Sequence, residues 1–402
     1  MIAHKSYISV PIILLELYLF SCTASVMPFF PEWLNSLFLY GFIISSFFQI
    51  AFIKKIKMRF ASIWFICFFI WCLITCIFST QIASSFSAWI ELLKLLLFIL
   101  CFQNIVKKDD LSGLMKALVM GPLVLFLYLF ATKQLFVDER LGTTLVGNAN
   151  SFALLFMVGA IAAIYLFFTE KRIVYKYIAA GAFAAICYSL ALSGGRKFFV
   201  IPFFVVAMVF IQREDSKGRR KYIRNCLIIA ILLLVIFYMV FQIPMLYNTI
   251  GIRFEGLFAL VGGKGKIDAS AKVRMNMIDD GISAWLEAPL LGYGLNSFAE
   301  NMGYGAYAHN NYVELLYDIG LIGFTIYYSV FVYYLINLFK NKKNIECLFF
   351  LSTIFALLLF DYGAVSYNLY QIHVILLMAS LFCEPFRRKL YEVETVRTVK
   401  VE

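Results

Sequence analysis

The sequence predicts an all-α, polytopic membrane protein with about twelve transmembrane helices and one large extracytoplasmic loop. Of its 402 residues, 62% are hydrophobic and only 15% are charged, whereas roughly a quarter of the residues in a soluble domain are charged. Apolar runs of about 20 residues, long enough to cross ~30 Å of hydrocarbon as a helix, recur from one end of the chain to the other. These observations place the chain in a lipid bilayer.

Each apolar run is a candidate span, and the first passes straight into the next segment, so no cleavable signal peptide is expected. Short polar segments separate the runs, apart from one long hydrophilic interval at residues 244–310. No internal repeat is evident, and we expect a single membrane domain over residues 1–402 that ends in a tail at 385–402. The candidate spans are residues 7–28, 33–52, 60–79, 86–104, 115–132, 149–168, 174–192, 198–212, 226–243, 311–337, 346–363 and 368–384.

The basic residues predict the orientation of these spans. With both termini in the cytoplasm, 25 Lys and Arg residues lie inside, 9 lie outside, and Lys94 lies within a span. Because cytoplasmic loops carry an excess of Lys and Arg, the interval 244–310, between spans 9 and 10, is predicted to be extracytoplasmic. The net charge of +11 is spread over short clusters between spans, which argues against a nucleic-acid partner. None of the nine cysteines lies in the long interval, so neither a disulfide framework nor a zinc site is indicated.

An amphipathic helix is predicted inside this interval, from Ser270, which can cap it, to Pro289, which stops it. At ~100° per residue, Arg274 falls in the middle of the apolar face, in line with Trp285. The helix should therefore lie on the membrane or on the transmembrane body. Two interpretations of Arg274 stay open. Its guanidinium reaches past lipid or pairs with a structural carboxylate, or it points into a cavity to meet an anion.

Arg196 presents a similar anomaly in the tight turn Ser193-Gly-Gly-Arg-Lys197. It stands at the predicted outer start of a helix, where the helix dipole favours anions over cations. The preceding glycines let the backbone approach a ligand closely. Arginine together with free helix N–H groups suits a phosphate, although anchoring to lipid headgroups is the alternative. Two displaced arginines together favour the anion.

His309 heads a polar stripe on the outer half of a predicted membrane helix. Asn310, Glu314 and Asp318 follow it at spacings that share one helix face, and carboxylates inside a membrane normally face a cavity or a partner. A histidine above two carboxylates can accept a proton from a hydroxyl. A helix cap with structural hydrogen bonds is the alternative. A metal site is a further one, but no second histidine or cysteine supports it.

Four short motifs resemble the O-antigen ligase and polymerase superfamily. The most recognisable is residues 308–324, Ala-His-Asn-Asn-Tyr-Val-Glu-Leu-Leu-Tyr-Asp-Ile-Gly-Leu-Ile-Gly-Phe. Upstream, Arg274 followed by Trp285 and by Pro-Leu-Leu-Gly-Tyr-Gly at 289–294 resembles the loop signature of that family. Ser-Gly-Gly-Arg at 193–196 matches its arginine-bearing turn. Gly-Asn-Ala-Asn at 147–150 resembles its Asn-Pro-Asn segment, with Ala149 in place of the proline. The motifs run from about residue 140 to 325, and their order, spacing and sidedness together make the resemblance specific.

The resemblance implies a membrane glycosyltransferase that uses an undecaprenyl-diphosphate-linked saccharide donor, a saccharide acceptor and no metal or other cofactor. By analogy with the family, Arg196 and Arg274 engage the diphosphate and His309 serves the acceptor. The bacterial cytoplasmic membrane, with the active site on its outer side, is the implied location, and a flippase and a chain-length regulator are candidate protein partners. Around the three catalytic candidates, the expected substrate-binding residues are Arg140, Asn148, Asn150, Lys197, Asn310 and Glu314.

Three functions fit this sequence to different degrees. The first is a polymerase that joins oligosaccharide repeat units of a capsule, exopolysaccharide or O-antigen. It is favoured by the glycine-rich, tyrosine-bearing segment 292–307, which we expect to form a flexible rim. The second is a ligase that transfers finished glycan to lipid A-core or another acceptor. The third is a transporter of lipid-linked sugars. Twelve spans and intramembrane charge are consistent with it, but no inverted repeat, which is common in transporters, is evident in the sequence.

Overall fold

The computed structural model describes residues 9–53, 56, 58–136, 140–213, 219–262 and 269–383, and the tail expected at 385–402 lies outside them. Within those ranges the chain is helical and forms no β-strand, which confirms the predicted fold class. The helices are α1 (Val10–Ala24), α2 (Glu32–Ile53), α3 (Phe60–Ile77), α4 (Ile82–Ile105), α5 (Leu111–Ala131), α6 (Thr143–Val146), α7 (Ala149–Thr169), α8 (Ile173–Ser193), α9 (Arg196–Arg213), α10 (Arg219–Gln242), α11 (Pro244–Leu246), α12 (Ile252–Gly262), α13 (Ala269–Trp285), α14 (Phe298–Asn301), α15 (Asn311–Lys340), α16 (Ile345–Asp361) and α17 (Tyr370–Ser380).

Every one of the twelve predicted spans coincides with a helix. Among the described residues, eight helices are long and apolar enough to cross a membrane, namely α2, α3, α4, α5, α7, α8, α10 and α15. The helices α1 and α17 are apolar but shorter, so the full number of twelve crossings stays a prediction. The chain is thus a multi-pass membrane protein.

Helix α7 lies at the centre of the bundle, and α5, α8, α9 and α16 pack around it. Its sequence is rich in alanine and carries Gly159, so neighbouring backbones can approach closely. A Cβ atom at Gly159 would lie 2.6 Å from Cγ of Pro122 on α5. By contrast, α10 is largely exposed along its apolar length, as expected of a peripheral helix that faces lipid.

The long hydrophilic interval is more helical than the sequence suggests. Its first part continues from α10 through α11, a π-helical turn at Tyr247–Gly251 and α12, and this part packs against α8 and α10. Helix α13 packs on the N-terminal part of α15. The helix predicted from Ser270 to Pro289 begins one residue earlier and ends at Trp285. Beyond Trp285 the backbone bonds tighten to a spacing of three residues, with Glu287 N donating to Ala284 O at 3.1 Å and Ala288 N to Trp285 O at 3.0 Å, and Trp285 Nε1 donates to Pro289 O at 3.0 Å across this turn.

Helix α15 is broken at Gly320, whose φ of 67° and ψ of −177° are not helical. The chain from Pro289 to Gly294 crosses the break and supplies the missing backbone partners. Leu321 N donates to Pro289 O at 2.8 Å, and Gly294 N donates to Asp318 O at 2.7 Å. Since each helix end leaves backbone groups without intrahelical partners, this crossing stabilises both halves. It also brings the two most recognisable sequence motifs together.

Candidate functional site

A cavity of about 220 Å³ lies at the end of the bundle where α15 begins. Four segments that are distant in sequence converge on it: the start of α7, the start of α9, the segment before α15 and the segment after α16. Its polar lining consists of Asn150, Ser151, Lys197, Asn296, Tyr307, Glu314, Tyr367 and Asn368. Three of these, Asn150, Lys197 and Glu314, are among the predicted substrate-binding residues.

His309 stands at the edge of this cavity in a left-handed backbone conformation, with φ at 55°. Its ring lies 4.3 Å, between centroids, from that of Tyr307, which lines the cavity. Burial lowers the pKa of His309 to about 4, and the positive charges of Arg274 and Lys197 contribute to the same shift. The imidazole is therefore uncharged at neutral pH. Among the described residues, none forms a hydrogen bond with the His309 ring. The N-cap of α15 is the next residue, Asn310.

That cap is Asn310, whose Oδ1 accepts from Tyr312 N at 3.0 Å and from Val313 N at 3.2 Å. Asn310 is almost fully buried, so its side chain organises the helix start directly behind His309. Glu314 is also buried, and its Oε2 accepts from Ala308 N at 2.6 Å. Both residues thus fix the backbone on either side of His309, and their contact with substrate stays a prediction.

Arg274 lies on the buried face of α13, as its spacing predicts, and is itself half-buried. A small core holds this helix on α15, formed by Met277, Phe298, Ala308, Val313 and Tyr317. Gly281 lets the two helices approach, since a Cβ atom there would lie 2.5 Å from Cγ1 of Val313. Helix α13 therefore carries Arg274 into the neighbourhood of His309 and Tyr307. Burial lowers the pKa of His309 and the charge of Arg274 adds to that shift, whereas burial raises the pKa of Tyr307 and the charge of Arg274 opposes that shift.

Lys197 brings a second basic side chain to the cavity from the start of α9, and burial, together with the charge of Arg274, lowers its pKa to about 7. Its Nζ donates to the carbonyl of Gly363 and lies 4.9 Å and 5.3 Å from the ring centroids of Phe198 and Phe360. These contacts tie the turn at 193–197 to the segment after α16. They hold the Lys197 amine facing a space whose other polar lining consists of amides, hydroxyls and the Glu314 carboxylate.

Arg196 does not line the cavity and points to the other side of the same turn. Its Nη1 donates to the backbone carbonyl of Arg253. Arg140 lies there too, with its Nε donating to Ser193 O at 3.0 Å. A Cβ atom at Gly194 would lie 3.1 Å from Arg140 Nε and 3.4 Å from Arg253 Cδ. Three arginines thus surround the turn, while Lys197, Arg274 and His309 lie together on the cavity side.

The remaining predicted residue, Asn148, caps α7. Its Oδ1 accepts from Asn150 N at 2.8 Å, which explains why an asparagine precedes this helix although Ala149 replaces the proline of the family pattern. The expected flexible rim is only partly present. Gly292 and Gly294 have positive φ and lie in a packed turn. A Cβ atom added at Gly292 would lie 2.5 Å from Tyr317 O on α15, and one added at Gly294 would lie 2.3 Å from Cβ of Ser79. Gly303, by contrast, has open space around it.

Asp318, the third residue of the polar stripe, holds this turn and takes no part in the cavity lining. Its two oxygens accept from the backbone N–H groups of Asn296, Ser297 and Phe298 at 2.8 to 3.1 Å and from the hydroxyl of Ser297 at 3.2 Å. Asp318 is fully buried. Asp318 lies four residues after Glu314, on the same helix face, so the sequence alone could not separate the roles of the two carboxylates.

Two contributors to this region were missed at the sequence level. Arg253 is a lone cation in an apolar run on the side where basic residues are scarce, the same anomaly that identified Arg274. Asn311 accepts from Ser366 N and Tyr367 N through Oδ1 at 2.9 and 3.2 Å, and its Nδ2 donates to Asp361 Oδ2 at 3.3 Å. It thereby fastens the segment after α16 to the start of α15. These three hydrogen bonds of Asn311, two residues after His309, could not be predicted from residue spacing.

Among the described residues, no three His, Cys, Asp or Glu side chains are grouped so as to hold a metal ion. Metal independence of the reaction stays a prediction.

Residues 181–328 match the family model described as O-antigen ligase. The matched range begins in α8 and ends in the second half of α15, so it includes Arg196, Arg274 and His309. No curated protein sequence matches the chain. Over residues 181–328, this match confirms the superfamily indicated by the sequence motifs.

Proposed function

We propose that the protein transfers a saccharide from a polyprenyl diphosphate to an acceptor hydroxyl, on the outer side of the bacterial cytoplasmic membrane. The observation that carries this proposal is an uncharged histidine between two cations at the edge of a polar cavity. Arg274 and Lys197 suit an anionic leaving group. His309 suits a hydroxyl that must lose its proton. Amides, tyrosines and a buried carboxylate around the cavity suit the hydroxyls of a sugar.

In this mechanism the acceptor oxygen attacks the anomeric carbon of the donor. The bond between that carbon and the diphosphate oxygen breaks, the electron pair leaves with the diphosphate, and the acceptor proton passes to the His309 imidazole. Negative charge grows on the leaving diphosphate as the bond breaks, so Arg274 and Lys197 stabilise the transition state more than the ground state.

The charges around His309 link its basicity to the donor. With the cavity free, burial and two neighbouring cations hold the pKa of His309 at about 4, too low for an efficient base at neutral pH. A diphosphate bound to Arg274 and Lys197 brings opposite charge, which raises the pKa of the imidazole. His309 then becomes a better base only when the donor is in place.

Between the two reactions of the superfamily, we propose polymerisation of repeat units. The supporting feature is the open segment that contains Gly303 and Tyr307 at the mouth of the cavity, with Tyr307 42% exposed, because a growing saccharide can slide along such a rim after each addition. The second candidate is the ligase, which the description of the matching family model, O-antigen ligase, supports.

Glycan analysis of a deletion strain separates the candidates. A polymerase predicts single repeat units on their lipid carrier or final acceptor and no long chains. The wild-type gene restores the series of chains of increasing length, and His309→Ala, produced at an equal level, does not. Accumulation of long lipid-linked polymer that is never transferred would replace the polymerase by the ligase. Purified protein that converts no donor in detergent, while lipid-linked sugar still crosses vesicles, would instead favour a transporter.

A further inference from the structure

A second polar pocket lies at the opposite end of the bundle. It has a volume of about 160 Å³ and is formed where α3 begins and where α4, α15 and α17 end. Helix α3 begins at this pocket and its 18 residues span roughly 27 Å at 1.5 Å per residue, and Ser79, just past its other end, packs against Gly294 in the turn at 289–298. Because the hydrocarbon core is ~30 Å thick, this pocket lies at the headgroup level of the other leaflet.

The pocket presents groups that suit an anion. Arg59 lines it and precedes α3, and the first two residues of that helix, Phe60 and Ala61, line it as well. The N-terminus of this 18-residue helix favours negative charge. Among the described residues, no carboxylate forms an ion pair with Arg59, although its guanidinium is half-buried.

Gln103 supplies an independent indication of a ligand. Its side chain is fully buried in the pocket wall. Its Nε2 donates to Ser380 Oγ at 2.6 Å, whereas its Oε1 has no hydrogen-bond partner among the described residues. An unmatched buried acceptor costs about 1–3 kcal/mol, and a hydroxyl donor on a ligand would satisfy it.

An apolar groove begins at the same place and runs into the membrane. Its volume is about 560 Å³. The α3 wall uses one helix face, since its residues are spaced three and four apart, and the α15 wall begins at Leu321, directly after the break. Phe60 belongs to both the pocket and the groove and stacks on Tyr333 at 3.9 Å between centroids. The groove is lined by Phe60, Ile63, Trp64, Cys67, Leu321, Ile322, Thr325, Ile326 and Ser329.

We infer that the pocket and the groove together bind one anionic phospholipid of the leaflet opposite the candidate active site. Its phosphate lies between Arg59 and the start of α3, a headgroup hydroxyl donates to Gln103 Oε1, and one acyl chain lies in the groove. Basic pockets between membrane helices are a known form of lipid-headgroup site. The charge, the unmatched acceptor and the continuous apolar groove select a hydroxyl-bearing anionic lipid over a zwitterionic one or a free anion.

The test measures thermal stability of the purified full-length protein in detergent while lipid is added. Phosphatidylglycerol should raise Tm at lower concentration than phosphatidylcholine, and inorganic phosphate at the same concentration should not. Arg59→Gln should raise the half-saturating phosphatidylglycerol concentration roughly tenfold, as expected from the loss of one charge-assisted contact. Lys340→Gln is the matched control, because Lys340 is an exposed cation near the same end of α15 outside the pocket.

The groove is tested by filling it. Cys67→Trp should weaken the lipid response, whereas Ile70→Trp, which places the same bulk on an exposed position of α3 outside the groove, should not. Equal stabilisation by phosphatidylcholine, an equal effect of inorganic phosphate, or a Cys67→Trp response identical to that of Ile70→Trp would each overturn the inference. None of these measurements depends on glycosyl transfer.

Discussion

The turn at 289–298 and the cavity beside His309 both rest on the N-terminal half of α15, yet they use their polar groups in opposite ways. In the turn, the polar groups are matched within the protein: Asp318 accepts four hydrogen bonds, three of them from backbone N–H groups. Around the cavity, amides, hydroxyls and Lys197 face open space. Saturated polar groups stabilise a shape, and groups that face a cavity are available to a substrate.

This difference divides the superfamily motif at 308–324 into two parts. Its first half, with His309 and Glu314, forms the cavity edge. Its second half, with Asp318 and Gly320, receives the turn that crosses the helix break, and a Cβ atom at Gly320 would lie 2.2 Å from Leu290 O. One continuous motif therefore combines chemistry with architecture, and substitutions in its two halves should fail in different assays.

The largest expected effect is the loss of folded protein from Asp318→Ala. The substitution leaves the N–H groups of Asn296, Ser297 and Phe298 buried without an acceptor, at ~1–3 kcal/mol each. That sum is a large part of the ~5–15 kcal/mol that typically separates folded from unfolded protein. We expect little monodisperse protein in detergent and a Tm lowered by many degrees. Asp279→Ala, at an exposed position of α13, is the control. A Tm unchanged in Asp318→Ala would mean that the turn is held by other contacts.

The sequence predicts the helices of this molecule much better than their ends and junctions. Apolar runs located the twelve helices that coincide with the predicted spans, because burial in lipid or in the bundle demands apolar helices. The sequence did not predict the helix break, because a glycine in an apolar run, such as Gly320, is typical of close helix packing. Only the position of Pro289 against α15 in the structure shows the break. The orientation of Arg196 was hidden too. In the turn at 193–197, the side chains of Arg196 and Lys197 lie on opposite sides, and periodicity does not predict which of them faces the cavity.

For the site, the sequence identified anomalies of charge and could not identify contacts. Arg274 and His309 were found because a cation on an apolar face and a histidine above carboxylates are costly unless used. Asn311 was missed because an asparagine at a helix start needs no explanation. Its bonds to the segment after α16 join residues that are about 55 apart in the chain, and such pairings exist only once the bundle has formed.

Arg274 should show the reverse of Asp318, with activity lost and the fold kept. Arg274→Ala removes a cation from the leaving group, and loss of one such stabilising group typically costs ~10²–10³ in rate. Arg274→Lys should rescue poorly, because an ammonium lacks the planar fork that matches phosphate oxygens. Donor turnover in detergent is the measurement, with size-exclusion profiles as the folding control.

The matched control for this pair is Lys272→Ala, since Lys272 lies on the same helix at an exposed position. Its turnover should stay close to that of the wild type. Wild-type turnover in both Arg274 variants would leave Arg274 with only the role of anchoring α13.

The smallest expected effect is a shift in the titration of His309. Its pKa lies near 4 because of burial first, then Arg274 and then Lys197, so the ring is uncharged at pH 7 and takes up a proton only as the pH falls towards 4. Removing a cation reduces the penalty on the charged form, and therefore Lys197→Met should move the midpoint to higher pH. The chain has only three histidines, so NMR of protein with labelled histidine can follow each ring, and His309→Gln assigns the resonance by its disappearance. Burial remains in the variant, which is why the midpoint should stay below the 6.5 of a solvated imidazole. A wild-type midpoint already at 6.5 would place His309 in water, away from both cations, and would remove the link between donor binding and base strength.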